Sequence, residues 1–311
     1  MHKGTSWCFV KTEISERSLI LLERVSQLKR TIIRRINLSI LAVCAIVASM
    51  LIAPPSVLAS DTASGWSFFS TGDWEMEIPW PNYDDTDVKA ATSVRGIIAE
   101  GKTHATPYYV YDSGVPGPTV ALVGGMHGNE IAGYQAARTF DNLAVKKGRV
   151  IVIPELNRPA VRAKKRTSSL GDLNRDFPRT KTGSSNNYLA TAIMKLMKRY
   201  KVNWLIDMHE GYDFHKINSS SVGQSVIYYP NSGAATMAKA MAAAASRTVS
   251  KSSHAFSTLK YPVSGSLARA VSIQLGAKGM ICETSNKQPL SLRIKQHQIV
   301  AETMLKRLGM I

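Results

Sequence analysis

The chain has 311 residues, 44% of them hydrophobic, and a net charge of +17. This suits one α/β domain with a sizeable core and draws anionic partners in general without choosing among them. Of its three cysteines only Cys282 lies beyond the first sixty residues, which excludes a disulfide-stapled scaffold.

At the N-terminus, Lys29, Arg30, Arg34 and Arg35 precede the apolar run INLSILAVCAIVASMLIAPP, and Val57-Leu58-Ala59 follows. A basic region, an apolar region and a small-residue site describe a secretory signal cut near Ala59. An uncleaved anchor is the alternative, since 36–53 is about the shortest run that spans a bilayer. The expected organisation is a leader over 1–59, an irregular aromatic and acidic arm over 60–92, and the main domain over 93–311. The expected location is outside the cytoplasm: secreted, periplasmic or in the cell envelope, with membrane contact only through an uncleaved leader.

From Val94 strand and helix patterns alternate. SVRGIIAE and PYYVYDS read as strands joined by a turn near Gly101. TVALVGG is a strand apolar on both faces, and NEIAGYQAARTFDNLAVKKG a helix that stops at Gly148. RVIVIPEL is the next buried strand, followed by a long loop over 157–187. YLATAIMKLMKRY is a helix, VNWLIDM and SVIYYP are strands, and SGAATMAKAMAAAASRTV and GSLARAVSIQLG are helices. AKGMICE is the last buried strand, and QPLSLRIKQHQIVAETMLKRL the last helix. Continuous apolar strands with helices between them predict a three-layer α/β/α fold with a mostly parallel, mixed central sheet.

In such a sheet, ligands gather beyond the carboxyl ends of strands. Three predicted strands end in metal-capable or charged residues: TVALVGG leads into His127 and Glu130, VNWLIDM into His209, and AKGMIC into Glu283. Two histidines and a carboxylate satisfy a catalytic zinc, which keeps a fourth position for water and lowers that water's pKa to about 7. Gly124 and Gly125 let the backbone turn tightly before His127. Alone, H-x-x-E is weak, and a capping Glu beside a satisfied His explains most instances. Behind a buried strand, and with DMHE and ICETS at later strand ends, it gains specificity.

GGMHGNE, DLNRDFP, DMHEG and ICETS, in that order, resemble the zinc carboxypeptidase superfamily, most of all its succinylglutamate desuccinylase/aspartoacylase branch. Asn129 in the first motif is similar to the deacylases; carboxypeptidases often place Arg there. The resemblance implies one Zn2+ per chain, with His127, Glu130 and His209 as its ligands. It implies that Glu283 is the catalytic general base, and that Asn174 and Arg175 hold the substrate's carboxylate. Asp172 matches the acid that orients the first zinc histidine, and Arg166 the arginine that stabilises the oxyanion. Each role suits its residue type: Arg offers a planar fork to a carboxylate, and a ligating His commonly gives its second N–H to an acid.

The deacylase branch commonly adds a C-terminal β-domain, whereas this chain runs about one helix past Glu283, so a more open cleft is expected. The expected activity is hydrolysis of an amide next to a free carboxylate, in a small amide or a peptide, with cell-wall peptide as one candidate. The alternative is a non-catalytic module of the same fold that grips an anionic envelope polymer through its basic loop. No nucleic-acid reading motif accompanies the charge.

Overall fold

A computed structural model describes residues 92–311. The leader expected over 1–59, and the arm over 60–92 except for Thr92, lie outside the described residues. Among the described residues no helix is long and apolar enough to cross a membrane.

Eight strands form one mixed sheet. They are β1 (Thr92–Ile98), β2 (Thr106–Asp112), β3 (Thr119–Val123), β4 (Arg149–Ile153), β5 (Trp204–Gly211), β6 (Ser225–Tyr228), β7 (Ser257–Lys260) and β8 (Lys278–Ser285). Their spatial order is β1-β2-β4-β3-β5-β8-β6-β7. β4, β3, β5 and β8 run parallel at the centre, while β1, β2 and β6 pair antiparallel with their inner neighbours. Among the described residues there are six α-helices: α1 (Ile131–Arg138), α2 (Arg158–Arg162), α3 (Tyr188–Arg199), α4 (Ala234–Ser246), α5 (Leu267–Leu275) and α6 (Leu290–Arg307).

Alternation along the central strands divides the core in two. Val120, Leu122, Ile206, Met208, Met280 and Cys282 face a layer built by α1, α4 and α6. Ala121, Val123, Leu205 and Ile281 face α3, α5 and the loop residues Leu156, Leu173 and Phe177. This is the expected three-layer α/β/α arrangement, produced by strands whose two faces are both apolar.

Two expectations about elements need correction. The helix predicted over 129–148 is the eight-residue α1. The Thr139 hydroxyl donates to the carbonyl of Ala136 at its end, and Asn142 turns the chain at φ 53°. Phe140 and Val145 still reach the core, but from irregular backbone, so their spacing imitated a helix. The loop expected over 157–187 opens with the short helix α2. The strand β7 is matched by none of the predicted elements. It has only four residues, none of them fully buried, so it carries neither a continuous apolar run nor a clear alternation.

Candidate active site

The neighbouring parallel strands β3, β5 and β8 end on the same side of the sheet. After β3, Gly124 and Gly125 bring the chain against α1 and the segment after β4. A Cβ on Gly124 would lie 2.7 Å from the carbonyl oxygen of Gly133, and Gly125 has φ +70°. His127 and Glu130 follow in the turn that opens α1. From β5 comes His209, and from β8 Glu283, its register partner on the adjacent strand. Register partners share a face, so the sheet itself sets His209 beside Glu283.

His127, Glu130 and His209 offer one ligand atom each, all within 4.8 Å of one another. The Nδ1 of His127 lies 2.7 Å from Glu130 Oε1, and the Nδ1 of His209 lies 2.8 Å from Oε2 of the same carboxyl. Each Nε2 faces an acid: that of His127 is 2.9 Å from Asp172 Oδ1, and that of His209 is 3.1 Å from Asp207 Oδ2. Two nitrogens and an oxygen converge; the far ring nitrogen of His127 is hydrogen-bonded to an acid, and that of His209 has one at ion-pair distance without a well-aligned hydrogen bond. This is the donor set and support that a divalent metal of the zinc kind takes.

The charges reinforce one another. Burial alone would raise the Glu130 carboxyl, but the two imidazoles more than offset this and hold it well below the usual carboxylate range. Burial likewise opposes charge on His209, yet Asp207 and Glu130 raise its pKa well above that of a free histidine. The bond from His127 holds Asp172 below the usual range, and Arg166 and Arg175 add to it. Burial pushes Glu283 up to about 8, with Glu130 and Asp207 adding to the rise while His209 and Arg166 pull against it.

His127, Glu130, His209 and Glu283 share a cavity of about 600 Å³ with Arg166, Asn174 and Arg175. The Asp172 side chain accepts from the Asn174 backbone N–H and starts a short 3-10 helix, Leu173–Arg175. That turn is held against Gly265, where a Cβ would approach the Arg175 carbonyl oxygen to 2.6 Å. The side-chain oxygen of Asn174 is buried with no hydrogen-bond partner. A polar atom left in that state beside a cavity is suited to a ligand. Arg166 spans Glu130 and Asp172, at 3.1 and 3.3 Å. All eight singled-out residues are therefore brought together. His215 is not among them; its Nδ1 lies 2.8 Å from the carbonyl of Ser221.

Three residues escaped the reading of the sequence. Asp207 carried a signal: in a strand, positions two apart share a face, so D-M-H already places an acid beside the histidine. Glu210 follows His209 and alternates to the other side of β5. It is buried, accepts from the Ala132 N–H at the start of α1, and is paired with Arg293 of α6. Its own backbone N–H donates to Glu130 Oε2 at 3.1 Å. Nothing local in α6 marks Arg293, whose partner is 83 positions away.

Residues 116–300 match the family model of the succinylglutamate desuccinylase/aspartoacylase catalytic domain, more than half of the chain. The chain belongs to that family. A curated relative, N-alpha-acetyl-L-2,4-diaminobutyric acid deacetylase of Halomonas elongata, is 35% identical over 100 residues, which cover 30% of this chain and 29% of the relative. The chain thus spans under a third of that relative's length. Among solved structures, the succinylglutamate desuccinylase/aspartoacylase of Rhodobacter sphaeroides is 22% identical, with a TM-score of 0.52 over 74% of this chain and 69% of that one. The product-bound cell shape determinant protein Csd4 of Helicobacter pylori is 18% identical, with a TM-score of 0.55 over 71% of this chain and 56% of that one. At these identities the two structures share the fold of this family member.

Proposed function

We propose that this chain is an exported, zinc-dependent hydrolase of an amide bond next to a free carboxylate, with Glu283 as general base. The observation that carries the reading is the placement of Glu283 on the strand position beside His209, in the cavity where His127, Glu130 and His209 converge. A divalent cation in that site supplies a Lewis acid and an activated water. The protein supplies the rest. Asn174 and Arg175 bind and orient the substrate's carboxylate, the arginine through its planar fork. Arg166 lies at the mouth of the triad with its guanidinium already directed at Glu130, suited to charge that develops on the reacting carbonyl oxygen. Glu283 takes a proton from the attacking water at its carboxylate and returns it to the leaving amine, a task served by a carboxyl tuned towards neutrality. Export rests on the basic and apolar stretches before Ala59. A cell-envelope peptide is the substrate class that joins that location to a free carboxylate, and the likeness to a cell shape determinant accords with it.

The test is a panel of N-acyl amino acids and short peptides, run with metal analysis of the purified protein. We expect close to one zinc per chain and, for Glu283→Ala, a loss of at least about 100-fold in kcat with zinc retained. Undiminished turnover in that variant removes the mechanism. Anionic polymer binding without metal or turnover establishes the non-catalytic alternative.

A further inference from the structure

We propose that the cavity wall beside Glu283 is a subsite for an aliphatic or aromatic side group of the substrate, so that this chain prefers apolar side groups over acidic ones. The inference rests on the hydrolase reading and names the substrate class.

The wall is set by strand register. β6 lies between β8 and β7. Ser225 is the partner of both Glu283 and Ser257, and Ile227 is the partner of both Ile281 and Leu259. Partners share a face, and residues two apart on one strand share it too. One row of this face therefore reads Glu283, Ser225, Ser257, and the next reads Ile281, Ile227, Leu259. The second row lines the cavity, joined by Val222 and Val263. Ile281 and Ile227 are buried, whereas Val222 and Val263 are 38% and 39% exposed. Five branched aliphatic side chains thus line the cavity that holds the proposed base, and two of them, Val222 and Val263, lack full cover. An apolar group placed there removes this surface from water.

The cations that line the cavity belong to neither row. Arg166 and Arg175 are on the loop before α3, and Arg293 is paired with Glu210. Lys260 follows Leu259 on β7 and so alternates out of its row; it is exposed at the edge of the same cavity. The family is described by succinylglutamate and aspartate chemistry. An acidic side group lodged on this row would meet aliphatic carbon and the carboxyl of Glu283, with no cation in either row.

The experiment uses two matched series of amides with a free carboxylate. One varies the amino-acid side (N-acetyl-glycine, N-acetyl-leucine, N-acetyl-aspartate). The other varies the acyl side on glycine (acetyl, isovaleryl, succinyl), and shows which flank of the amide supplies the group. In the series that engages the wall, we expect kcat/KM for the apolar member to exceed that of its acidic counterpart by about 30-fold. Leu259→Lys is expected to erase that preference and Leu259→Met to keep it, each with folding checked by its thermal transition. Equal or faster turnover of the acidic members in both series overturns the proposal, as does an unchanged ratio in folded Leu259→Lys. Calorimetric binding of the same compounds separates this proposal from the activity. If nothing is hydrolysed but the apolar members bind more tightly, the subsite stands and the hydrolase reading falls. Equal binding, or none, overturns the subsite.

Discussion

Glu283 is buried beside Glu130, with Asp207 adding a further negative charge, and its carboxyl sits at about 8 rather than its ordinary 4.5. The folded chain therefore keeps a proton on this group between those two values, where the unfolded chain has lost it. Stability contributed by that proton is present below about pH 4.5 and falls as pH rises to about 8, by up to about 1.4 kcal/mol per unit. Metal-free protein is expected to show this loss and Glu283→Gln to flatten it, as read from denaturant titrations near pH 5 and pH 8. A cation bound at the triad favours the ionised carboxylate and should remove the slope in wild type as well. If metal-free wild type and the Gln variant share one pH profile, the carboxyl is not held protonated. At this scale the sequence was largely legible: His127, Glu130, His209 and Glu283 stand at strand ends where chemistry collects, and Asp207 was readable by parity. Arg293 was not, because its role depends on a contact between β5 and the last helix that no local pattern encodes.

Helix α1 is fixed at both the triad and the sheet. Gly133 lies flat on β5, where a Cβ would come within 2.3 Å of the Met208 carbonyl oxygen. Gly133→Ala is expected to push the helix, and Glu130 at its start, off the strand that carries His209. A loss of about 1–3 kcal/mol should appear in the melting temperature together with weaker metal binding. Retention of both would show that the helix has room to shift. The second fixing point is the Glu210–Arg293 pair, with side chains only 3% and 15% exposed. Arg293→Leu alone leaves a buried carboxylate without its partner, and we expect it to cost about 3–5 kcal/mol. Replacing Glu210 with Leu as well should recover much of that stability, because no charge is then stranded. A double variant as unstable as the sum of the two singles would contradict a coupled pair; urea unfolding of the four proteins decides it. The boundaries of α1 were the least legible part of the chain. Apolar spacing after Arg138 fits a helix, and only the tertiary position of Asn142 and the contact of the Lys146 N–H with the Met310 carbonyl show why the backbone leaves it.

At the scale of the whole molecule, the layer architecture followed from continuous apolar strands alternating with helices, and the motifs placed the site at the carboxyl ends of those strands. Strand order was not legible. β6 and β7 lie beyond β8 although they precede it in sequence, so the last strand inserts between β5 and β6. That insertion brings His209 and Glu283 together across 74 positions of chain and sets the aliphatic row alongside, relations that only pairing can reveal.

Cys282 and Glu283 are adjacent in the chain, yet one belongs to the methionine-lined interior and the other to the cavity. A slip of β8 by a single residue would exchange them, sinking a carboxyl into hydrocarbon and offering a thiol to the metal site. The phase of one strand is thus what divides reagent from ballast. Tolerance to insertion or deletion should be far lower within 278–283 than its plain composition suggests.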